Sequence, residues 1–203
     1  MNVNIGEQIE IKTLNGEFEG RHVMVSSDGH VIREGVVLQK ANDRLPILVR
    51  VQSSCLFSES FWATDCDCAR QIQGALGRIS KDGGMLLYFY EEGRGAGLAT
   101  KFKAIELQQS FGYDTRKAYE CLRISPDNRT YEAAAAALLH LVGKKPVVIL
   151  SNNRKKSDSL KEFGVNVVDR ERLICGAENP DVRRYLDEKR RILGHDLPDW
   201  NIE

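Results

Sequence analysis

Hydrophobic positions along this chain fall into strand-like stretches first and helix-like stretches later. Gln8 to Thr13 and Glu17 to Val25 read as strands flanking Asn15-Gly16, a strong hairpin signal, and Asp28-Gly29 marks a second turn. The first fifty residues therefore form a strand-rich part. Helical spacing appears at Ile72, Ala75, Leu76 and Ile79, which predicts a helix from Ala69 to about Lys81, ended by Asp82-Gly83-Gly84. The apolar run Met85 to Tyr90 reads as a buried strand. It stops at a glycine-rich turn before a second helix from about Leu98 to Ser110.

From Gly112 through Arg129 the pattern has no clear period, and the segment reads as irregular and charged. Thr130 is placed to cap an alanine-rich helix from Tyr131 to Leu141. Pro146 to Leu150 then reads as a buried strand, Ser151-Asn152-Asn153 as a turn, Lys155 to Phe163 as a helix and Val165 to Val168 as a short strand. A charged tail helix is expected near residues 183–195. Strands alternating with helices predict an α/β fold: a mixed sheet core with flanking helices and a strand-rich N-terminal part, about residues 1–50. No internal repeat and no linker rich in Pro, Gly or Ser divides it, so residues 1–203 are expected to form a single domain.

Composition narrows the function classes. At 203 residues, 42% hydrophobic and 29% charged, the chain suits a folded globular protein rather than a disordered one. Its 29 Lys+Arg balance 29 Asp+Glu, which argues against nucleic acid or an anionic membrane as a general partner. Any anion recognition must be local. The N-terminus lacks the basic start and apolar run of a secretion signal, and no stretch is long enough to span a bilayer, so a cytoplasmic location is expected. Five cysteines in a reducing compartment point to metal binding or burial ahead of disulfides.

Cys55, Cys66 and Cys68 form a C-x10-C-x-C arrangement whose near pair opens a predicted helix. Zinc accepts cysteine sulfur, and three protein ligands leave a fourth tetrahedral position for water, the pattern of a catalytic site. Zinc lowers the pKa of that water from about 15.7 to about 7. Two other readings stand beside it: a closed site completed by Cys121, Cys175, His140 or His195, and buried cysteines without metal. Elsewhere Glu91-Glu92-Gly93-Arg94-Gly95-Ala96-Gly97 lies between a strand and a helix. There glycines admit close approach, a helix N-terminus favours anions and Arg94 offers a bidentate contact. Glu92 suits the N–H edge of a purine, because an ionised carboxylate only accepts hydrogen bonds. Neither a dinucleotide fingerprint nor a P-loop is present. Ser151 to Lys156 repeats the arrangement with hydroxyl, amides and three cations, and Asp127-Asn128-Arg129 sits in the irregular segment. Each has a bland alternative as an ordinary turn or helix start.

Taken together and in order, these segments resemble the GTP cyclohydrolase II family from about Pro46 to His195. The matching pieces are Arg50-Val51, Cys55-Leu56, Cys66-Asp67-Cys68 with Gln71, Glu92-Gly93-Arg94-Gly95, Gly112-Tyr113-Asp114-Thr115, Asp127 with Arg129, Asn152-Asn153 with Lys155-Lys156, and Tyr185-Leu186 through Gly194-His195. The resemblance implies zinc on Cys55, Cys66 and Cys68, activating water for attack on C8 of guanine. It also implies Arg129 as nucleophile at the α-phosphate with Asp127 as its acid/base partner, and pyrophosphate released with the help of magnesium. Arg50, Gln71, Glu92, Gly93, Arg94, Thr115, Ser151 and Lys156 would hold the nucleotide, and the family implies a homodimer.

The chain also departs from the family pattern. Gln52 and Ser54 stand for a histidine and a glutamate beside the first cysteine, and Tyr90-Glu91 for Arg-Gln before the glycine turn. The second exchange lowers attraction for a triphosphate and predicts a different or less phosphorylated nucleotide. Ile105 aligns with a family tyrosine, from which arrest at the ring-opened formamide is expected. Tyr119, Arg123 and Arg154 replace Asn, Gly and Pro. The leading expectation is hydrolytic opening of the imidazole ring of GTP, for riboflavin or a specialised purine-derived metabolite. The competitors are the same zinc chemistry on another nucleotide and a catalytically silent nucleotide-binding descendant.

Overall fold

The computed structural model describes residues 1–200. Eight strands form one sheet: β1 (Asn2–Ile5), β2 (Ile9–Thr13), β3 (Gly16–Ser27), β4 (His30–Lys40), β5 (Ile47–Ser53), β6 (Gly84–Phe89), β7 (Val147–Leu150) and β8 (Val167–Glu171). Their order is β1-β3-β4-β6-β5-β7-β8, with β2 also paired to β3. Pairings from β1 to β6 are antiparallel, whereas β6-β5, β5-β7 and β7-β8 are parallel. The seven helices are α1 (Leu56–Phe61), α2 (Cys68–Asp82), α3 (Leu98–Phe111), α4 (Thr115–Cys121), α5 (Glu132–Val142), α6 (Arg154–Glu162) and α7 (Pro180–Leu193).

Strand alternation sorts the core onto two faces. Val49, Val51, Met85, Leu87, Phe89, Val147 and Ile149 pack with Leu138 of α5 and Leu160 of α6. Leu48, Leu86, Val148 and Leu150 point the other way, onto Ala75, Leu76 and Ile79 of α2. With both faces covered, β5, β6 and β7 read as near-continuous apolar runs. The chain leaves β5 towards α2 on one face and leaves β7 towards α6 on the other. Adjacent parallel strands whose connections diverge open a crevice at their carboxyl ends, where ligands of such sheets bind.

The mixed α/β reading agrees with this architecture, and the differences lie in the connections. The segment expected to be irregular after Gly112 contains α4, whose N-cap Asp114 accepts from the Lys117 N–H at 2.7 Å. Seven residues, about two turns, are too few to show a period. Leu56–Phe61 is likewise helical, its last turn closed by Trp62 at a φ of 58°. Thr130 does not cap α5; Tyr131 occupies that position without a side-chain cap. The strand expected at Val165 to Val168 runs Val167–Glu171, and the tail helix begins earlier, at Pro180. Among the described residues no helix is long and apolar enough to cross a membrane.

Leu138 is fully buried between α5 and the sheet. Leu138→Ala is expected to lower unfolding free energy by about 2–5 kcal/mol in urea denaturation. A loss under about 1 kcal/mol would show that α5 is not anchored as described.

Candidate active site

A cavity of about 390 Å³ occupies the crevice. Arg50 and Gln52 reach it from β5, Glu92 to Arg94 from the turn after β6, and Ser151 to Asn153 with Lys156 from the loop and helix after β7. Every expected site residue lines it except Asp127, which stands behind Arg129 and binds that guanidinium twice, at 2.8 and 2.6 Å.

Cys55, Cys66 and Cys68 form one wall, their sulfur atoms all within 4.8 Å of one another, and Cys55 lies 3.9 Å from Cys66. Tetrahedral zinc with bonds of about 2.3 Å holds its sulfurs about 3.8 Å apart, so the group fits that ion. Charge says the same. Hydrogen bonds from Cys55 and Cys68 pull the Cys66 thiol down to about 2, while bonding to Cys66 holds Cys55 above the ordinary thiol value and bonding to Cys55, then to Cys66, holds Cys68 well above it. Three thiols this close share a single negative charge unless a cation joins them. Cys121, Cys175, His140 and His195 do not belong to the group.

Buried cations line the same cavity. Arg50 donates to Gln52 Oε1 at 3.0 and 2.6 Å, to Gln71 and to the Leu150 carbonyl at 2.9 Å. Lys156 donates to the Val51 carbonyl at 2.7 Å and lies over the Tyr131 ring. Neither cation has a carboxylate partner among the described residues. Burial lowers both from their ordinary values, and for Lys156 the neighbouring Arg50 and Arg129 add to the effect. Burial also opposes the charge of Arg129, but Asp127 outweighs it and holds the guanidinium above its ordinary value. His195 is driven down to about 2 by burial and then by Lys189, Arg129, Lys156 and Arg94, which keeps it neutral. A site with this excess of buried positive charge is built for an anion.

Several sequence readings change here. Of the three cations after Ser151, only Lys156 enters the cavity; Arg154 and Lys155 are exposed. The Asn152 side chain is spent on the Leu173 backbone, at 2.6 and 2.8 Å. Glu92 accepts from Lys101 at 2.9 Å, from the Gly93 N–H at 3.2 Å and from the Leu56 N–H, which leaves about one of four acceptor sites for a purine edge. Tyr90 is exposed and outside the cavity, and Glu91 is paired with Arg33. Of the two exchanged positions only Glu91 lines the cavity, and Arg33 offsets its charge.

The glycine turn also positions Arg129. Arg94 sits at a φ of 55° between Gly93 and Gly95, and its carbonyl accepts from the Asn128 N–H at 2.9 Å. A Cβ on Gly95 would lie 3.0 Å from the Asn128 carbonyl carbon and 3.2 Å from the Arg129 nitrogen, so only glycine lets the two segments meet this closely.

Four further residues gave little or no sequence signal. Lys101 of α3 reaches Glu92 and lies 3.5 Å from Cys55 Sγ. Asp67, between two cysteines, is fully buried and pairs with Lys189 of α7 at 2.8 Å; its C-D-C setting was the one visible cue. Lys189 stacks over Tyr185, and Glu188 accepts from the Thr115 N–H at 2.9 Å. The tail thus forms part of the wall.

Fold and site together define an enzyme of mixed α/β architecture whose crevice is made for an anionic substrate. The profile of the GTP cyclohydrolase II family matches residues 5–172, and the chain belongs to that family of hydrolases. GTP cyclohydrolase-2 of Shigella boydii serotype 18 is 40% identical over 155 residues, 76% of this chain and 78% of its own length. The Escherichia coli O9:H4 protein of the same name is 41% identical over 151 residues, 74% and 76% of the two chains. Riboflavin biosynthesis protein RibBA of Staphylococcus haemolyticus is 36% identical over 194 residues, 95% of this chain but 48% of that protein, so the chain spans about half of that relative.

Lys189→Met would leave the Asp67 carboxylate buried and unpaired. It is expected to destabilise the fold by about 3–5 kcal/mol. The double variant D67N/K189M should recover at least about 1 kcal/mol of the summed single effects. Chemical denaturation of the four proteins measures this coupling, and additivity within about 0.5 kcal/mol would contradict the buried pair.

Proposed function

We propose that this protein opens the imidazole ring of GTP by zinc-dependent hydrolysis and releases pyrophosphate, as a cytoplasmic homodimer serving riboflavin or a related purine-derived metabolite. One observation carries the reading: three converging thiols and the buried, carboxylate-free cations Arg50 and Lys156 line the same crevice. A purine nucleotide presents a ring to the thiols and phosphates to the cations. The five free cysteines suit a reducing compartment.

Zinc held by Cys55, Cys66 and Cys68 would supply a Lewis acid and a water of pKa about 7. The protein's part is orientation. Arg50, held by Gln52 and Gln71, and Lys156, held by the Val51 carbonyl, fix the phosphates, while Arg94 closes on them from the glycine turn. Arg129 meets the α-phosphate. For it to act as nucleophile a proton must leave the guanidinium, and Asp127, bound to it twice, is the carboxylate placed to take that proton; the Arg129 N–Pα bond formed as pyrophosphate leaves is then hydrolysed by water to free the monophosphate. Magnesium would arrive with the phosphates, since the described residues include no cluster of three carboxylates to hold it.

Ile105 gives the wall near these groups an alkyl surface. The phenol of Tyr119 also faces the cavity, but it donates to the Gly93 carbonyl at 3.2 Å and is tied to the turn. We therefore propose arrest at the formamide. Mass spectrometry of the product from GTP with zinc and magnesium is expected to show a ring-opened monophosphate that keeps its formyl carbon, with one pyrophosphate per turnover. Stoichiometric formate would overturn the arrest alone. Unconsumed GTP would overturn the reading. Cys66→Ser is expected to abolish turnover and bound zinc while circular dichroism stays native; collapse of the fold would favour a structural metal.

A further inference from the structure

The turn after α7 carries His195 into the cavity wall, from a segment beyond the residues the family profile matches. Its backbone is tightly held. The His195 N–H donates to the Lys189 carbonyl at 3.2 Å and the Asp196 N–H to the Asn152 carbonyl at 2.7 Å. The Asp196 carboxylate is gripped by Arg170 at 2.6 Å, with Arg154 at 3.6 Å and Arg172 at 3.8 Å. Despite this, His195 Nε2 is buried and has no hydrogen-bond partner among the described residues. Buried polar atoms without partners are rare in native proteins and call for an explanation.

The charges that reach His195 most strongly belong to Lys189, Arg129, Lys156 and Arg94. None of the charges acting most strongly on the imidazole is an anion, and no carboxylate accepts from Nε2. An oxyanion drawn in by those cations supplies both the counter-charge and the acceptor. The thiol group lies apart from this nitrogen, so His195 is not explained as a metal ligand.

We propose that His195 is a phosphate-binding residue of the nucleotide site, its Nε2–H donating to a phosphate oxygen that also meets Arg129 and Lys156. This assignment rests on the nucleotide reading above.

The test is calorimetric titration of the zinc-loaded full chain with inorganic pyrophosphate and, separately, guanosine. His195→Phe keeps the ring shape and removes the donor. It is expected to weaken pyrophosphate binding about tenfold or more, with guanosine affinity, zinc content and melting temperature unchanged. H195Q, whose amide reaches the Nε2 position, should restore most of the loss. H195N, whose amide does not reach it, should match H195F without the bulk of a phenyl ring. Wild-type pyrophosphate affinity in H195F and H195N would overturn the assignment, as would equal weakening of guanosine or a loss of zinc. Failure of the unaltered protein to bind either pyrophosphate or GTP would instead overturn the nucleotide reading itself, and His195 with it.

Discussion

Asp67 is a carboxylate with no exposure to solvent, set in a loop between two cysteines. A charge in that position is tolerable only if its oxygens are fully engaged. One oxygen takes Lys189 from α7, and the other takes the Gln71 amide from the next turn of α2. Gln71 passes the contact to Arg50 on β5, and Arg50 passes it to Gln52 and to the last carbonyl of β7. A single buried anion thereby joins the cysteine loop, two neighbouring strands and the tail helix. The docking of α7, the setting of the cysteine loop and the aim of the cavity-facing Arg50 are tied together through it.

A chain with zero net charge can still present a strongly positive crevice, because charges are partitioned by burial as well as counted. Four acidic groups in or beside the cavity are matched: Asp127 by Arg129, Glu92 by Lys101, Glu91 by Arg33 and Asp67 by Lys189. Arg50 and Lys156 have no carboxylate partner among the described residues. Departures from the family pattern look different in this light. Glu91 gained a charge and a partner from β4 together, and Gln52 supplies an amide oxygen that fixes the guanidinium of Arg50. Neither change dismantles the anion site.

Most of the candidate site was legible in the sequence because it lies in the loops after the strands. Cysteine spacing, the Gly93-Arg94-Gly95 turn and the Ser151 loop are local patterns whose residue types carry their chemistry with them. α2, with its long periodic run, and the alanine-rich α5 were legible for a similar reason. What escaped was short or non-periodic. α4 has seven residues and α1 six, too few for a helical stripe to stand out. Lys101 and Lys189 escaped because a lysine on a charged helix is normally solvated, and nothing local distinguishes the two that turn inward.

By itself, then, the sequence determined the fold class, the spacing of three cysteines and the order of the loops that line the cavity, since each follows from neighbours along the chain. Which of those groups meet was decided only by the tertiary structure. Lys156 reaches the Val51 carbonyl across 105 residues, and Lys189 reaches Asp67 across 122. The reason is the sheet. β5 and β7 lie side by side although a hundred residues separate them, and their connections leave on opposite faces. Strands covered on both faces carry no alternation to announce their neighbours. Their order, the crevice it opens and the neutral His195 buried in its wall became visible only when the chain was folded.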